Sequence, residues 1–527
     1  MSQFHVYDTT LRDGAQQEGM NLSVADKLEI AALIDRLGIG FIEGGWPGAI
    51  PKDTEFFQRA GKELRFDNAV LAAFGATRKA GAEAGRDPQV RALLDAETPV
   101  ITLVAKSDIR HVERALKTTP DENLAMISDT VAYLVSQDRR VFLDAEHYFD
   151  GYRFNADYAL ACAKAAYEAG AEVVVMCDTN GGMLPAWLGE ITAATAAGLP
   201  GARLGVHCHN DTGCAVANTI AAVTGGVTHV QGTMNGYGER TGNADLTAIV
   251  PNLALKLGLD ALPSDKLAEL TGTAHAIAEI TNIAPQARQP YVGYSAFAHK
   301  AGLHASAIRV DPDMYQHTDP QLVGNDMRML VSEMAGRASV ELKGRELGFD
   351  LAGNSQVLAQ VTEQVKDLEA RGYTFDAADA SFELLLRQAL DALPNYFQVE
   401  SWRTISETAG DAGHGVSEAT VKLHAGNRRF VATGEGNGPV NALDAALRLA
   451  LIEVYPELDA IDLVDYKVRI LDTSRGTDAV TRVMIESSNG QEVWRTVGVG
   501  PNIIEASWLA LTEAVVFGLI HSGVPVR

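Results

Sequence analysis

Over roughly the first 250 residues, short apolar runs alternate with longer segments whose apolar positions recur every three or four residues. The short runs are rich in β-branched and aromatic side chains. They read FHVYD (4–8), GFIEGG (40–45), AVLAAF (69–74), VITLVA (100–105), VFLDAE (141–146), EVVVMC (172–177), RLGVHCH (203–209) and THVQGT (228–233). Their length and composition predict β-strands. The segments between them predict helices, most clearly the one opening at Ser23. There Asp26 completes an S-x-x-D box, Ile30, Leu33, Ile34 and Leu37 share one face, and Gly38 supplies the stop. Strands alternating with helices pair in parallel, and eight such units close a (β/α)8 barrel. A doubly wound open sheet fits the same alternation and is the competing architecture.

After about residue 270 the strand pattern stops, and helical segments dominate to roughly residue 395, including AFAHKAGLHASAI (296–308). From about residue 415 one unit is written twice, some 62 residues apart, each copy a hairpin, a Gly-Pro step (Gly438-Pro439, Gly500-Pro501) and an amphipathic helix. Asn489-Gly490 is a hairpin turn signal. The expected organisation is a barrel over 1–270, a mostly helical linker over 271–400, and a duplicated α+β module over 401–527 for dimerisation or effector binding.

Composition narrows the partners. A net charge of −24 spread along the chain argues against nucleic acid or an anionic membrane surface as a partner. The four cysteines form no C-x-x-C pair, the first residues lack a signal-peptide pattern, and no apolar run reaches transmembrane length, so a reducing cytoplasm is expected.

The chemistry-bearing residues gather where a barrel would need them, at the carboxyl ends of the strands. Arg12 and Asp13 follow the first strand and Glu43 ends the second. Glu146 and His147 end the fifth, Asp178, Thr179 and Asn180 follow the sixth, and NGYGERTGNAD follows the eighth. His207 and His209 end the seventh. Two positions apart on a strand, they project from one face, as ligands to one metal ion would, or as a hydrogen-bonded pair in a polar core. Asp13, His207 and His209 would leave open positions on Mn²⁺, Co²⁺, Zn²⁺ or Mg²⁺, with Asn243 as a further weak oxygen ligand or a loop-stabilising amide. Such an ion beside the Arg12 guanidinium would clamp the neighbouring oxygens of an α-keto acid. Arg12 could instead be a salt-bridge partner of Glu43. Glu146 with a histidine could deprotonate a carbon acid. Cys208 faces away from the two histidines, and His299 reads as a packing or surface residue.

YDTTLRDGAQ, HCHND and GERTGN together resemble the metal-dependent Claisen-condensing and aldolase-like barrel family. That family includes the 2-isopropylmalate, homocitrate and citramalate synthases and 3-hydroxy-3-methylglutaryl-CoA lyase. The duplicated C-terminal unit resembles the regulatory domain of the isopropylmalate and citramalate branches. RDGAQQEG departs at Ala15 and Glu18 from the RDGEQSPG usual in the leucine pathway, and GGWPGAIPKD and DAEHYFDGY are similar to the citramalate branch.

The resemblance implies condensation of acetyl-CoA with pyruvate and thioester hydrolysis, on a route to isoleucine. It implies metal ligands Asp13, His207 and His209 with Asn243 nearby, Arg12 as keto-acid-binding residue, and Thr179 and Gln16 as substrate contacts. Glu146, His304 and Tyr315 are the implied acid–base residues, and Glu43 supports Arg12 or a metal-bound water. It also implies a homodimer, in which the linker serves the neighbouring barrel, and an amino-acid effector such as isoleucine. Three rivals remain: a retro-Claisen lyase, which lacks such a C-terminal module; a biotin-dependent carboxyltransferase, which needs a lysine where this chain has Met176-Cys177-Asp178; and a silent sensor paralogue, which would lack a ligand or base.

Overall fold

Eight strands close into one all-parallel ring: β1 (His5–Asp8), β2 (Phe41–Glu43), β3 (Val70–Ala76), β4 (Val100–Lys106), β5 (Arg140–Glu146), β6 (Val173–Asp178), β7 (Arg203–Cys208) and β8 (His229–Gly232). Each pairs with the next, and β8 returns to β1 with His5 beside His229 and Asp8 beside Gly232. The open-sheet alternative is thereby excluded. The computed structural model describes residues 4–408, 415–471 and 479–527. It divides into two units, Met1–Phe297 with Thr318–Asp326, and Ala298–His317 with Met327–Arg527.

In the first unit, helices cover the barrel and bury the outward faces of the strands. The helix Val24–Leu37 shows how locally this is encoded. Ser23 and Asp26 exchange both capping hydrogen bonds, and Gly38 ends the helix in the left-handed region at φ 93°. Inside the ring, Tyr7, Phe41, Phe142, Val173 and Val175 pack as a core of their own. This is a filled barrel rather than a pore. Toward the carboxyl ends the same inward-facing positions turn polar: Asp144 and Glu146 on β5, Cys177 and Thr179 on and after β6, His207 and His209 on and after β7.

The loop GGWPGAIPKD is held by a buried ion pair. Lys27, from the helix Val24–Leu37, meets Asp53, from the helix Pro51–Glu63, and the other Asp53 oxygen accepts the Trp46 N–H at 2.8 Å. Burial draws the Lys27 ammonium below its usual range, and only Asp53 opposes that. Removing one partner of such a pair strands a charge in the interior. Lys27→Met is therefore expected to cost about 3–5 kcal/mol, measured by urea unfolding, and Lys27→Met/Asp53→Asn less than Lys27→Met alone.

The second unit begins with short elements, among them β9 (Ala298–His299) paired in parallel with β10 (Arg328–Met329), then helices Arg337–Glu346, Ser355–Ala370 and Asp379–Ala389. Two antiparallel sheets follow: β11 (Gln398–Thr408), β12 (Gly415–Ala425) and β13 (Arg428–Gly436), and then β14 (Asp462–Ile470), β15 (Thr481–Ser488) and β16 (Val493–Gly500). Each sheet is followed by a helix, Pro439–Leu451 or Ile503–His521. The repeat is thus three strands and a helix, one strand more than the sequence reading assigned. That leading strand alternates along a largely exposed face, with few buried apolar positions to mark it.

Corresponding glycines show that the two copies pack alike. A Cβ at Gly434 would run into Ala445 and Ala446, and one at Gly498 into Ala506. The helix Ile503–His521 corrects two further expectations. It is apolar around much of its circumference rather than amphipathic, and by length and composition it is long enough to cross a membrane. Over half of it is buried, with Trp508, Leu511, Val515 and Leu519 in the core of this unit, as expected of a core helix.

Candidate active site

β1 delivers Arg12 and Asp13 through a tight turn in which the backbone N–H groups of Arg12, Asp13 and Gly14 all point to the Thr9 carbonyl, at 2.9–3.2 Å. β7 delivers His207, and His209 lies just beyond it, where it bridges to Asn243 of the GERTGN loop. Asp13, His207 and His209 are buried, and their ligating atoms lie within 4.8 Å of one another. Nε2 of His207 is 3.1 Å and Nε2 of His209 3.7 Å from Oδ2 of Asp13. Among the described residues this is the one such cluster of histidine, cysteine and acidic side chains that could share an ion.

The electrostatics favour a cation at this point. Burial opposes ionisation of Asp13, but Arg12 and the two histidines outweigh it and hold the carboxyl well below its usual range. Burial likewise draws His209 down to about 4, leaving a neutral imidazole with a lone pair to offer. Asn243 donates its Nδ2–H to the Tyr237 carbonyl at 3.0 Å, the loop-stabilising role, while its Oδ1 is buried without a partner among the described residues. A buried acceptor left unpaired beside a carboxylate and two imidazoles is the donor set that a borderline divalent ion takes.

Arg12 combines the two roles that the sequence left as alternatives. Its Nε–H donates to Glu43 Oε1 at 2.6 Å, its guanidinium carbon lies 3.9 Å from the centre of the Phe74 ring, and Nη1 reaches to 3.4 Å from Asp13. Glu43, fully buried, also accepts from the Tyr7 hydroxyl at 2.8 Å. The guanidinium is thus fixed from behind while still facing a cavity of about 600 Å³. Arg12, Asp13, Gln16, Glu146, Thr179, His207 and His209 all line that cavity.

Thr179 is held at two points. Its Oγ accepts the His147 N–H at 2.8 Å, which turns its own proton toward another acceptor, and its carbonyl accepts from Arg240 at 2.9 Å. Arg240 belongs to GERTGN and grips Asp211 of HCHND bidentately at 2.8 and 3.0 Å, joining the two motifs. Glu146 forms an ion pair with Lys106, its register neighbour on β4, and lies 3.9 Å from His147 Nε2. His304 and Tyr315 belong to the second unit, where their rings stack at 4.0 Å.

Sequence reasoning missed several residues of this cavity: Phe74, Lys106, Asp144 and the loop residue Trp46, whose ring meets Phe74 edge-on at 5.2 Å. It also missed Gln231, which touches both Asp144 and His207. Burial with Glu43 close by pushes the Asp144 carboxyl up to about 7. The missed signal was the two-residue period itself. Lys106, Asp144 and Gln231 share their strands' inward face with residues already singled out or already in the core.

Comparison with known proteins identifies the family. The HMGL-like family matches residues 3–277, a homocitrate synthase post-HMGL domain-like family matches 291–373, and the LeuA allosteric (dimerisation) domain matches 376–518. The chain belongs to the HMGL-like barrel family, carrying the C-terminal domains of its synthase members. More narrowly, it belongs with proteins named (R)-citramalate synthase. It is 62% identical to the one from Streptomyces coelicolor, over 99% of this chain and 97% of that one, and 48% identical to that from Aquifex aeolicus, over 98% of each. A 2-isopropylmalate synthase from Dictyoglomus turgidum stands further off, at 30% identity over 98% of each chain.

Proposed function

We propose that this chain is an (R)-citramalate synthase, joining the methyl carbon of acetyl-CoA to the keto carbon of pyruvate and hydrolysing the thioester to give citramalate and free CoA. The observation that carries the chemistry is the buried Asp13–His207–His209 cluster beside a guanidinium immobilised by Glu43. Asp13, His207 and His209, with Asn243, would hold a divalent ion, Mn²⁺, Co²⁺, Zn²⁺ or Mg²⁺, whose Lewis acidity polarises the keto group.

The remaining work falls to the chain's own residues. Arg12 pairs with the keto-acid oxygens and stabilises the alkoxide that develops as the new C–C bond forms. Thr179 donates its hydroxyl proton to the keto-acid carboxylate, the direction left open once its oxygen accepts from His147, and Gln16 adds a contact at the rim. Glu146, steadied by Lys106, is the acidic partner in removing a proton from the acetyl methyl group, with His304 and Tyr315 completing the acid–base set.

The protein acts as a cytoplasmic homodimer in which His304 and Tyr315 serve the partner copy's barrel. The exposed apolar side chains around that pair, Leu303 and Val310 at 74% and Met314 at 59%, favour a surface that another chain covers. The C-terminal module is the regulatory part, with isoleucine as its effector. With Mn²⁺ or Co²⁺, the purified protein is expected to release free thiol from acetyl-CoA with pyruvate in preference to 2-oxobutyrate, 2-oxoisovalerate or 2-oxoglutarate. Preference for 2-oxoisovalerate would move it to the isopropylmalate reaction with the same site.

A further inference from the structure

The two imidazoles that face Asp13 are not equivalent. Nδ1 of His209 is buried and has no hydrogen-bond partner among the described residues. Nδ1 of His207 lies 2.8 Å from Oε1 of Gln231, and Nε2 of Gln231 lies 2.9 Å from Oδ1 of Asp144. All three side chains are buried, at 0% exposure for Gln231, 3% for Asp144 and 4% for His207, so each polar group depends on its partner.

The direction of each bond follows from its ends. Asp144 Oδ1 accepts, so Gln231 must present its amide N–H there, and its second N–H faces His229 Nε2 at 3.5 Å. That turns the amide oxygen toward β7. A carbonyl oxygen only accepts, so His207 must carry its proton on Nδ1. Its Nε2, 3.1 Å from Asp13 Oδ2, is then the nitrogen left to offer a lone pair to an ion that the two side chains would share.

We propose that Gln231, oriented by Asp144, is a positioning residue that fixes His207 in the Nδ1–H tautomer and makes it the dominant imidazole ligand. This rests on the reading of Asp13, His207 and His209 as ligands to a divalent ion. A hydrogen bond at the far nitrogen both selects the ligating nitrogen and raises its basicity. The three members come from β5, β7 and β8, so barrel closure is what assembles the relay. His209 has no such support and contributes less.

The test uses the full chain with Mn²⁺ and Co²⁺, measuring affinity by competition with a chromophoric chelator and recording the visible spectrum of the Co²⁺ form. Gln231→Leu is expected to weaken metal affinity by about 10- to 100-fold and to change the Co²⁺ spectrum. Gln231→Glu/Asp144→Asn, which still offers an oxygen to His207 Nδ1 and sets an amide N–H donor opposite that carboxylate, is expected to stay within about threefold of the parent. His207→Ala separates the proposal from the reading beneath it. If His207→Ala binds metal like the parent, the ligand assignment falls. If His207→Ala loses the metal while Gln231→Leu keeps parental affinity, the ligand assignment stands and the relay falls. Equal losses in Gln231→Glu/Asp144→Asn and Gln231→Leu would also overturn it. Should leucine prevent folding, Gln231→Met replaces it with the same expectation.

Discussion

Replacing His207 with alanine is expected to lower metal-dependent kcat/KM by about a thousandfold or more, while the barrel remains folded. The size follows from what the ion supplies: a bound divalent cation contributes several kcal/mol of transition-state charge stabilisation, and each 1.36 kcal/mol is about a factor of ten in rate. His207 is a buried member of the cluster, 3.1 Å from Asp13. Its loss leaves one carboxylate, one imidazole and the weak amide oxygen of Asn243, too weak a donor set to hold a borderline ion against water. Asp13 keeps its Arg12 neighbour, so its charge is not stranded and the fold has no large penalty to meet. Initial rates at saturating Mn²⁺, read beside a metal-binding titration, check the outcome. Activity within tenfold of the parent would remove His207 from the ligand set.

Arg12 carries the second large effect, and here activity and stability separate. Arg12→Met removes the group that meets the developing alkoxide, and loss of one such preorganised donor costs about 10²–10³ in kcat. It also leaves Glu43, fully buried and otherwise held by the Tyr7 hydroxyl, without its cation. Breaking a buried pair in this way costs about 3–5 kcal/mol. Arg12→Met/Glu43→Gln is expected to recover most of that stability and none of the activity. Urea unfolding and steady-state kinetics on both variants measure the two halves. If the double variant regains activity, Arg12 has only a structural role.

Much of this protein is legible in one dimension because its rules are local. Strand–helix alternation, the Ser23–Asp26 box with Gly38 behind it, and polar residues recurring at strand ends each depend on neighbours a few positions apart. Asp13, His207 and His209 stand out as a possible ligand set for the same reason: residues two apart on a strand must face one way, and eight parallel strands must share a carboxyl end.

Partners separated by tens or hundreds of residues are another matter. No local pattern joins Gln231 to Asp144 and His207, Lys106 to Glu146, or Arg240 to Asp211 and the Thr179 carbonyl. Closure of the ring creates these contacts by setting strands side by side in a definite register. Which candidates touch, which are held from behind, and which nitrogen of an imidazole keeps its lone pair are therefore properties of the closed barrel. The chain's own order supplies the side chains and the end of the barrel they face; burial and register decide their partners, because a hydrogen bond reaches only about 3 Å and a buried charge is stranded unless a partner stands beside it.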